Sequence, residues 1–386
     1  MRRARGARSA CNLYKCFAPL ASETRSARSN FSASPQPTTA IRNLSRASVP
    51  NPDAAKPARA PEQTGLYIAR MKLPVRLVLP AVLAIVALAA GPLPAEQAAP
   101  YTVEESGRTY QRLQDAVDAI GRGSGTIRFM QARFADCAVQ RAGDITYKAS
   151  APGQSVLDGA VCEGKAALVL GGRSARVEGL VFANIHVSDH NGAGIRLERG
   201  NLSVSQSWFR DSEQGILSGN DSGSTIAIDK STFTRLGTCE GSGGCAHSLY
   251  IGDYGALTVT RSRFEAGSGG HYVKSRSAAV TILDSSFDDT AGTGTNYMID
   301  LPAGATGRIA GNWFVQGRDK ENYSAFIAVG AEDVRHSSEG LQIFGNDARF
   351  TTGIARRSAF VADWTGERLA IGDNTLATGL MRFERR

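Results

Sequence analysis

The feature that most constrains the fold is a short repeat: an apolar residue, Ser or Asn three positions later, and Phe five positions later. The first apolar positions of successive copies are 23 to 34 residues apart. Periods of this size are typical of solenoids, in which each repeat forms one coil. Five copies are complete and two are degenerate: Val204/Ser207/Phe209, Ile228/Ser231/Phe233, Val259/Ser262/Phe264, Ile282/Ser285/Phe287, Ile309/Asn312/Phe314, then Val177/Phe182 and Ile343/Asn346.

A coil of about 25 residues, rich in Val, Ile, Ser, Thr and Gly, predicts an all-β right-handed parallel β-helix with two or three short strands per coil. Equivalent positions then stack about 4.8 Å apart. The Phe row predicts an internal aromatic stack. The Ser/Asn row predicts a ladder of hydrogen-bonding side chains at a tight inner turn, and we interpret both rows as structural.

The start of this solenoid carries a candidate cap. Residues 109–120 have apolar side chains at helical spacing and are followed by glycines, which predicts an amphipathic helix. Solenoids need a cap over the open end of their core. No break in composition follows, so residues 96–386 are predicted to form one β-helix domain.

The N-terminal region has a different composition. Residues 1–70 are rich in Arg, Ser, Ala and Pro, which favours a disordered segment or a spurious upstream extension of the reading frame. Met71 is followed by basic residues, an apolar run over 77–90 and Leu93-Pro94-Ala95, the layout of a signal peptide over 71–95. The protein is therefore expected to be secreted or periplasmic. An uncleaved anchor with a basic tail is the alternative.

The net charge of +8 does not indicate nucleic-acid binding, because it is concentrated at the N-terminus. Residues 1–70 hold 12 Lys/Arg and 3 Asp/Glu, which leaves 32 Lys/Arg and 33 Asp/Glu in residues 71–386. The body of the chain is nearly neutral, so no nucleic-acid partner is predicted. The domain is expected to be a monomer.

Four cysteines follow the predicted signal peptide. Cys239 and Cys245 flank a Gly-rich loop, and Cys137 and Cys162 lie about one coil apart. Two disulfides with these pairings are expected, although four cysteines allow three pairings. No CxxC motif occurs, so no metal and no other cofactor is predicted.

The second strand of each coil predicts a functional face. Aligning the strands on their central apolar residues (Ile195, Ile216, Leu249, Val273, Ile299 and Ile327) points the next residue outward. That outward row is Arg196, Leu217, Tyr250, Lys274, Asp300 and Ala328. Two positions before the centres, where each strand leaves its turn, lie Ala193, Gln214, His247, His271, Tyr297 and Ala325.

Three adjacent coils thus bring together side chains suited to cleaving an acidic polysaccharide by elimination. That reaction needs a neutraliser of the uronate carboxylate, a base and an acid. Lys274 is the candidate base, since Arg276 favours its neutral form while Asp300 opposes this. Tyr250 or His271 is the candidate acid, and Arg276 the neutraliser. The candidate substrate-binding residues are His247, Asp300, Tyr297 and Arg196.

A purely structural interpretation of the same residues is the alternative. Lys274 and Asp300 are then an exposed cross-strand pair with histidines at the rim. Burial of His247 and His271 would reduce the cluster to an ordinary surface salt bridge.

From residue 109 to the C-terminus, the coil pattern resembles the pectate-lyase-like superfamily of right-handed parallel β-helices. Tyr272-Val273-Lys274-Ser275 is similar to the coil carrying the lysine base in the alginate lyase and chondroitinase B type of polysaccharide lyase. This implies Lys274 as base. In those lyases an arginine one coil later is the acid, but Asp300 stands here, so Arg276 or His271 has to substitute.

Those lyases also carry calcium-binding acidic residues ahead of the lysine. Gly269, Gly270 and His271 stand there in this chain, so calcium is not implied. The whole chain further resembles exported proteobacterial β-helix proteins with HxVKSR and IDLP segments. That resemblance implies a fold and a compartment but no agreed activity.

The leading prediction is therefore an exported protein that cleaves acidic polysaccharide by β-elimination. The main alternative is a non-catalytic protein that binds cell-envelope or extracellular glycan through Tyr250, Tyr272, Tyr297 and Tyr323. A glycoside hydrolase is the weakest candidate, because two carboxyl groups are required and the outward row offers only Asp300, with Asp253 and Glu332 elsewhere.

Overall fold

The computed structural model describes residues 99–241 and 244–386. The predicted extension over 1–70 and the predicted signal peptide over 71–95 lie outside the described residues. Within the described ranges, no helix is long and apolar enough to cross a membrane.

The described chain forms a parallel β-solenoid of three sheets, which confirms the predicted class of fold. Its strands are numbered in chain order. The first sheet contains β1 (Tyr101–Val103), β2 (Arg108–Tyr110), β3 (Ser124–Phe129), β6 (Asp144–Ala149), β9 (Ser174–Glu178), β12 (Asn201–Ser205), β15 (Asp221–Asp229), β18 (Tyr254–Thr260), β21 (Ala279–Leu283), β24 (Thr306–Ala310), β27 (Gln342–Phe344) and β30 (Ala370–Ile371).

The second sheet contains β4 (Arg133–Phe134), β7 (Ser155–Asp158), β10 (Leu180–Ala183), β13 (Trp208–Ser212), β16 (Thr232–Leu236), β19 (Arg263–Glu265), β22 (Ser286–Asp288), β25 (Trp313–Gln316), β28 (Asp347–Phe350) and β31 (Thr375–Leu376). The third contains β5 (Ala138–Gln140), β8 (Ala166–Leu170), β11 (Ala193–Leu197), β14 (Gln214–Ser218), β17 (Leu249–Ile251), β20 (Val273–Ser275), β23 (Ile299–Leu301), β26 (Ala325–Val329), β29 (Ser358–Asp363) and β32 (Leu380–Arg385).

The Phe row forms the predicted stack inside the second sheet. Neighbouring rings have centroids 4.8 to 4.9 Å apart and lie within 12° of parallel. The repeat sets this geometry, because one Phe per coil at the same register leaves each ring directly above the last. The stacked residues are Phe182, Phe209, Phe233, Phe264, Phe287 and Phe314.

The Ser/Asn row forms the predicted ladder at the turn between the first and second sheets. From Ser231 to Asn346, each side-chain oxygen of the row accepts a hydrogen bond from the main-chain N–H of the equivalent residue one coil earlier. Ser262 accepts from the Ser231 N–H at 3.2 Å, and Asn312 accepts from the Ser285 N–H at 3.0 Å. The ladder satisfies main-chain donors that the buried turn would otherwise leave unpaired.

The N-terminal cap is shorter than predicted. Helix α1 spans Leu113–Ile120, while Arg108–Tyr110, just before it, forms an antiparallel strand with β1. The predicted start at residue 109 is therefore wrong, because that segment completes a sheet edge and Arg112 is still extended. Asp136 caps the new start by accepting the Leu113 N–H at 2.7 Å.

Both predicted disulfides are present, Cys137–Cys162 and Cys239–Cys245. Two disulfides are compatible with a periplasmic or extracellular location.

Candidate functional site

The third sheet presents two columns of side chains on its outer face. In three successive coils the residue before the strand centre and the centre itself both point inward: Tyr272 and Val273, Met298 and Ile299, and Phe326 and Ile327 all lie in the interior core. This irregularity departs from strict alternation. It places the positions on either side of the inward pair on the outer face.

The outward row predicted from the sequence forms one column, as the strand register shows. His247, His271 and Tyr297 belong to the second column. Toward one end, Ala325 from one column and Ala328 from the other pack together on the outside. The sheet thus brings the candidate histidines beside the candidate lysine.

The predicted exposure of this cluster is wrong. His247 is 5% exposed, His271 8%, Lys274 8% and Asp300 3%. The interpretation of Lys274 and Asp300 as an exposed surface pair is therefore wrong. Side chains of the neighbouring coils cover them: the His271 ring lies 4.9 Å from the His247 ring and 5.6 Å from the Tyr297 ring, centroid to centroid.

The two histidines are uncharged in this environment. The main-chain N–H of His271 donates to Nδ1 of His247 at 3.0 Å, so Nε2 of His247 carries the proton. Burial and the nearby Lys274 lower the pKa of His247 to about 3. Burial and the neighbouring His247 lower the pKa of His271 well below its usual value.

Lys274 is held by two carboxylates. Its Nζ lies 3.3 Å from Oδ2 of Asp300 and 2.5 Å from Oε1 of Glu332. Burial favours the neutral amine, but the two carboxylates outweigh it and raise the pKa of Lys274. The predicted shift of Lys274 toward its neutral form is therefore wrong. Two carboxylates contact its ammonium, and Arg276 is itself paired with Glu332.

Asp300 is the most deeply buried carboxylate of the cluster. Burial raises its pKa to about 6, even though Lys274 favours the charged form. Its Oδ1 is buried and has no hydrogen-bond partner among the described residues. Oδ2 lies 3.5 Å from Nε2 of His271 and 3.3 Å from the Lys274 ammonium.

Glu332 completes the site, and sequence reasoning did not assign it there. It lies in the segment between β26 and β27. This segment falls in the longest interval between successive copies of the repeat, 34 residues, and that length was the one sequence signal for an additional segment beside the site. Oε1 accepts from Lys274 and Oε2 from Arg276, and the side chain is 42% exposed. The two cations hold the pKa of Glu332 below its usual value despite partial burial.

Tyr250 and Arg276 are the more accessible members of the site. Nη2 of Arg276 donates to Oη of Tyr250 at 3.5 Å, and the Arg276 side chain is 16% exposed. The Lys274 Nζ lies 5.8 Å from the centroid of the half-buried Tyr250 ring. Tyr250, Lys274 and Arg276, with the Glu332 carboxylate that bridges the two cations, form the outer part of the cluster, and we call these four residues the clamp.

Two candidate residues lie elsewhere than expected. Arg196 is three strands from Lys274 along the same column, separated by Leu217 and Tyr250, and its Nε lies 3.4 Å from Glu198. Tyr272 is interior and donates its hydroxyl to Asp289 at 2.7 Å, so its predicted role as a glycan-stacking surface is wrong.

Asp300 and Glu332 both contact the Lys274 ammonium, whereas a pair of hydrolytic carboxyls has to flank a glycosidic bond. The Asp300 side chain is only 4% exposed and cannot reach a sugar. In the described ranges, no group of three or more His, Cys, Asp and Glu is placed to hold a metal ion.

Comparisons with known proteins give little further information. No protein-family model matches the sequence, and no curated protein matches it. Among solved structures the chain is similar to "Geobacillus virus E2 - ORF18", with 12% identity and a TM-score of 0.40 over 72% of this chain. The match covers 57% of that structure's chain, and a similarity of this size supports no functional assignment.

Proposed function

We propose that the clamp binds the carboxylate of an acidic, uronate-containing polysaccharide, and that the protein cleaves this polymer by β-elimination in the manner of pectate-lyase-like β-helices. One observation carries the proposal: Lys274 and Arg276 hold a single carboxylate, that of Glu332, between them. A uronate presents the same planar group on a sugar ring. Charge-assisted hydrogen bonds from two cations are among the stronger contacts that proteins make to carboxylates.

The raised pKa of Lys274 changes its role in this proposal. A charged Lys274 acts with Arg276 to neutralise the uronate carboxylate, which makes the adjacent C–H proton easier to remove. The proton-transfer group is then Tyr250, which is partly exposed and lies beside both cations. In its ionised form the phenol oxygen takes the proton next to the carboxylate. The electrons of that C–H bond form a C=C bond as the C–O bond to the leaving sugar breaks, and the phenol then returns the proton to the oxygen of the leaving sugar.

Binding without cleavage is the second candidate function. It is favoured by the burial of His271 and Asp300 and by the charged state of Lys274, which together leave the clamp without an accessible neutral base. In this case Tyr250 serves as a stacking surface for a sugar ring.

The test measures ultraviolet absorbance from unsaturated sugar ends and, separately, binding to alginate, pectate, glycosaminoglycans and bacterial exopolysaccharides. Cleavage that is abolished in Tyr250→Phe, with binding retained, supports the lyase. Arg276→Ala is expected to weaken binding about ten- to hundredfold, since it removes charge-assisted hydrogen bonds. Arg263→Ala, which removes an exposed arginine of the second sheet, is the matched control.

Binding that depends on Arg276, with no absorbance from any polymer, supports the non-catalytic function. Absence of binding to every polymer in the panel contradicts both.

A further inference from the structure

The Glu332 carboxylate occupies the position between Lys274 and Arg276 that a ligand carboxylate would take. Glu332 engages Lys274 with one oxygen and Arg276 with the other, so both cations are already satisfied. The Lys274 side chain is 11% exposed while that of Glu332 is 42% exposed, so Glu332 stands between Lys274 and solvent. An external carboxylate therefore has to take the place of this one.

The Glu332 main chain is anchored, so its side chain is the part that has to move. The Glu332 N–H donates to the carbonyl oxygen of Pro302 at 3.1 Å. On either side, Gly330 donates to Leu301 at 2.9 Å and Arg335 donates to Ala303 at 2.9 Å. These bonds tie the segment to the residues at the end of strand β23. An exposed glutamate side chain, by contrast, changes rotamer rapidly.

The buried end of the site offers no substitute position for a ligand. Asp300 lies on the far side of Lys274 and is 3% exposed, so an anion entering there would meet a second carboxylate in a desolvated place. The outer side, where Glu332 lies, is the side on which Arg276 and Tyr250 are also accessible.

We infer that Glu332 is an intramolecular occupant of a carboxylate subsite formed by Lys274 and Arg276, and that ligand binding proceeds by exchange of its side chain for a ligand carboxylate. The identity of that ligand as a uronate rests on the proposed function; the subsite and its occupant do not. Because the occupant competes with every external carboxylate, it lowers their apparent affinity.

The first test compares Glu332→Gln with the unaltered protein by calorimetric titration, using the polymer that binds best in the panel above. Removing the competing charge is expected to tighten binding about tenfold or more. Asp333→Asn is the matched control: it changes the charge of the same segment by the same amount, but its side chain is 82% exposed and pairs with Arg335 instead. Unchanged or weaker binding in Glu332→Gln, while the unaltered protein binds, overturns the inference and leaves the proposed function standing.

A second measurement needs no polymer. Acetylation of Lys274 by acetic anhydride, followed by mass spectrometry of its peptide, is expected to be several-fold faster in Glu332→Gln than in the unaltered protein. Added formate is expected to slow it again in Glu332→Gln, and Asp333→Asn is expected to react like the unaltered protein. If no polymer binds but this pattern is found, the proposed function fails and the subsite stands. Equal acetylation of Lys274 in all three proteins overturns the inference.

Discussion

Two histidines of neighbouring coils are linked by one hydrogen bond, in which the main-chain N–H of His271 donates to Nδ1 of His247 at 3.0 Å. The bond selects one tautomer of His247, and burial keeps both rings neutral. Because His247 has a pKa of about 3 in the folded protein and about 6.5 when unfolded, the unfolded chain binds the extra proton between these values.

The first prediction concerns pH. The contribution of His247 to stability is complete above about pH 6.5 and is lost as the pH falls toward about 3, where the folded state can also take the proton. His247→Gln keeps an acceptor for His271 but has no titration, so its unfolding midpoint is expected to fall less steeply with acid. His186→Gln, at a 62% exposed side chain, is the control. Equal slopes for His247→Gln and the unaltered protein contradict the prediction.

The second prediction concerns the buried pair of Lys274 and Asp300. Asp300 has its pKa raised to about 6, against about 3.8 unfolded, so its contribution to stability is complete below about 3.8 and lost as the pH rises through 6. Lys274→Met removes the cation that stabilises the charged carboxylate. We expect a loss of about 3 kcal/mol near pH 8 and a smaller loss near pH 5, where Asp300 can take a proton.

Chemical denaturation at the two pH values measures this difference. Lys148→Met is the control, because the Lys148 side chain is 40% exposed and its Nζ lies 3.8 Å from Oε2 of Glu178. This change is expected to lower the free energy of unfolding by under about 0.5 kcal/mol. A loss in Lys274→Met that is equal at both pH values would show that Asp300 does not titrate in this range.

The third prediction concerns a second buried ion pair, remote from the clamp. Lys320 donates to Asp289 at 3.0 Å and to Thr295 at 2.9 Å, and both charged side chains are fully buried. Asp289→Asn leaves Lys320 in the interior without its counter-charge, so we expect a loss of about 3 to 5 kcal/mol. Glu339→Gln, which removes one side of an exposed pair, is expected to change the free energy of unfolding by under about 1 kcal/mol. Similar losses for the two variants would contradict this account.

The fourth prediction compares two neighbours on one strand that face opposite ways. Phe209 stacks between the rings of Phe182 and Phe233 and is 1% exposed, whereas Trp208 faces outward and is 39% exposed. Phe209→Ala is expected to cost about 3 to 5 kcal/mol, because it empties one level of the stack. Trp208→Ala is expected to cost under about 1 kcal/mol. Thermal unfolding of the two variants gives the comparison, and a larger loss for Trp208→Ala would mean that the outer face is covered.

The repeat correctly predicted the contacts that join equivalent positions of adjacent coils. Phe209 above Phe182, and Ser262 accepting from Ser231, follow once one coil is aligned on the next. The pairing of Cys137 with Cys162 was predictable for the same reason, because residues one coil apart lie side by side. Helix α1 was found, but its start was misplaced, because the strand pairing of Arg108–Tyr110 with β1 competes with helix formation.

The sequence by itself thus determined the stacked coils, the interior Phe row and the placing of Lys274 beside Asp300, and it favoured one of the three disulfide pairings that four cysteines allow. Only the tertiary structure decided that this pair is buried and that Glu332, 58 residues from Lys274 in the chain, closes over it. The physical reason is that burial and charge pairing depend on which distant segment covers a side chain. The repeat specifies contacts between neighbouring coils, but it does not specify the path of the segment that carries Glu332 or the desolvation that sets the pKa values of His247, Lys274 and Asp300.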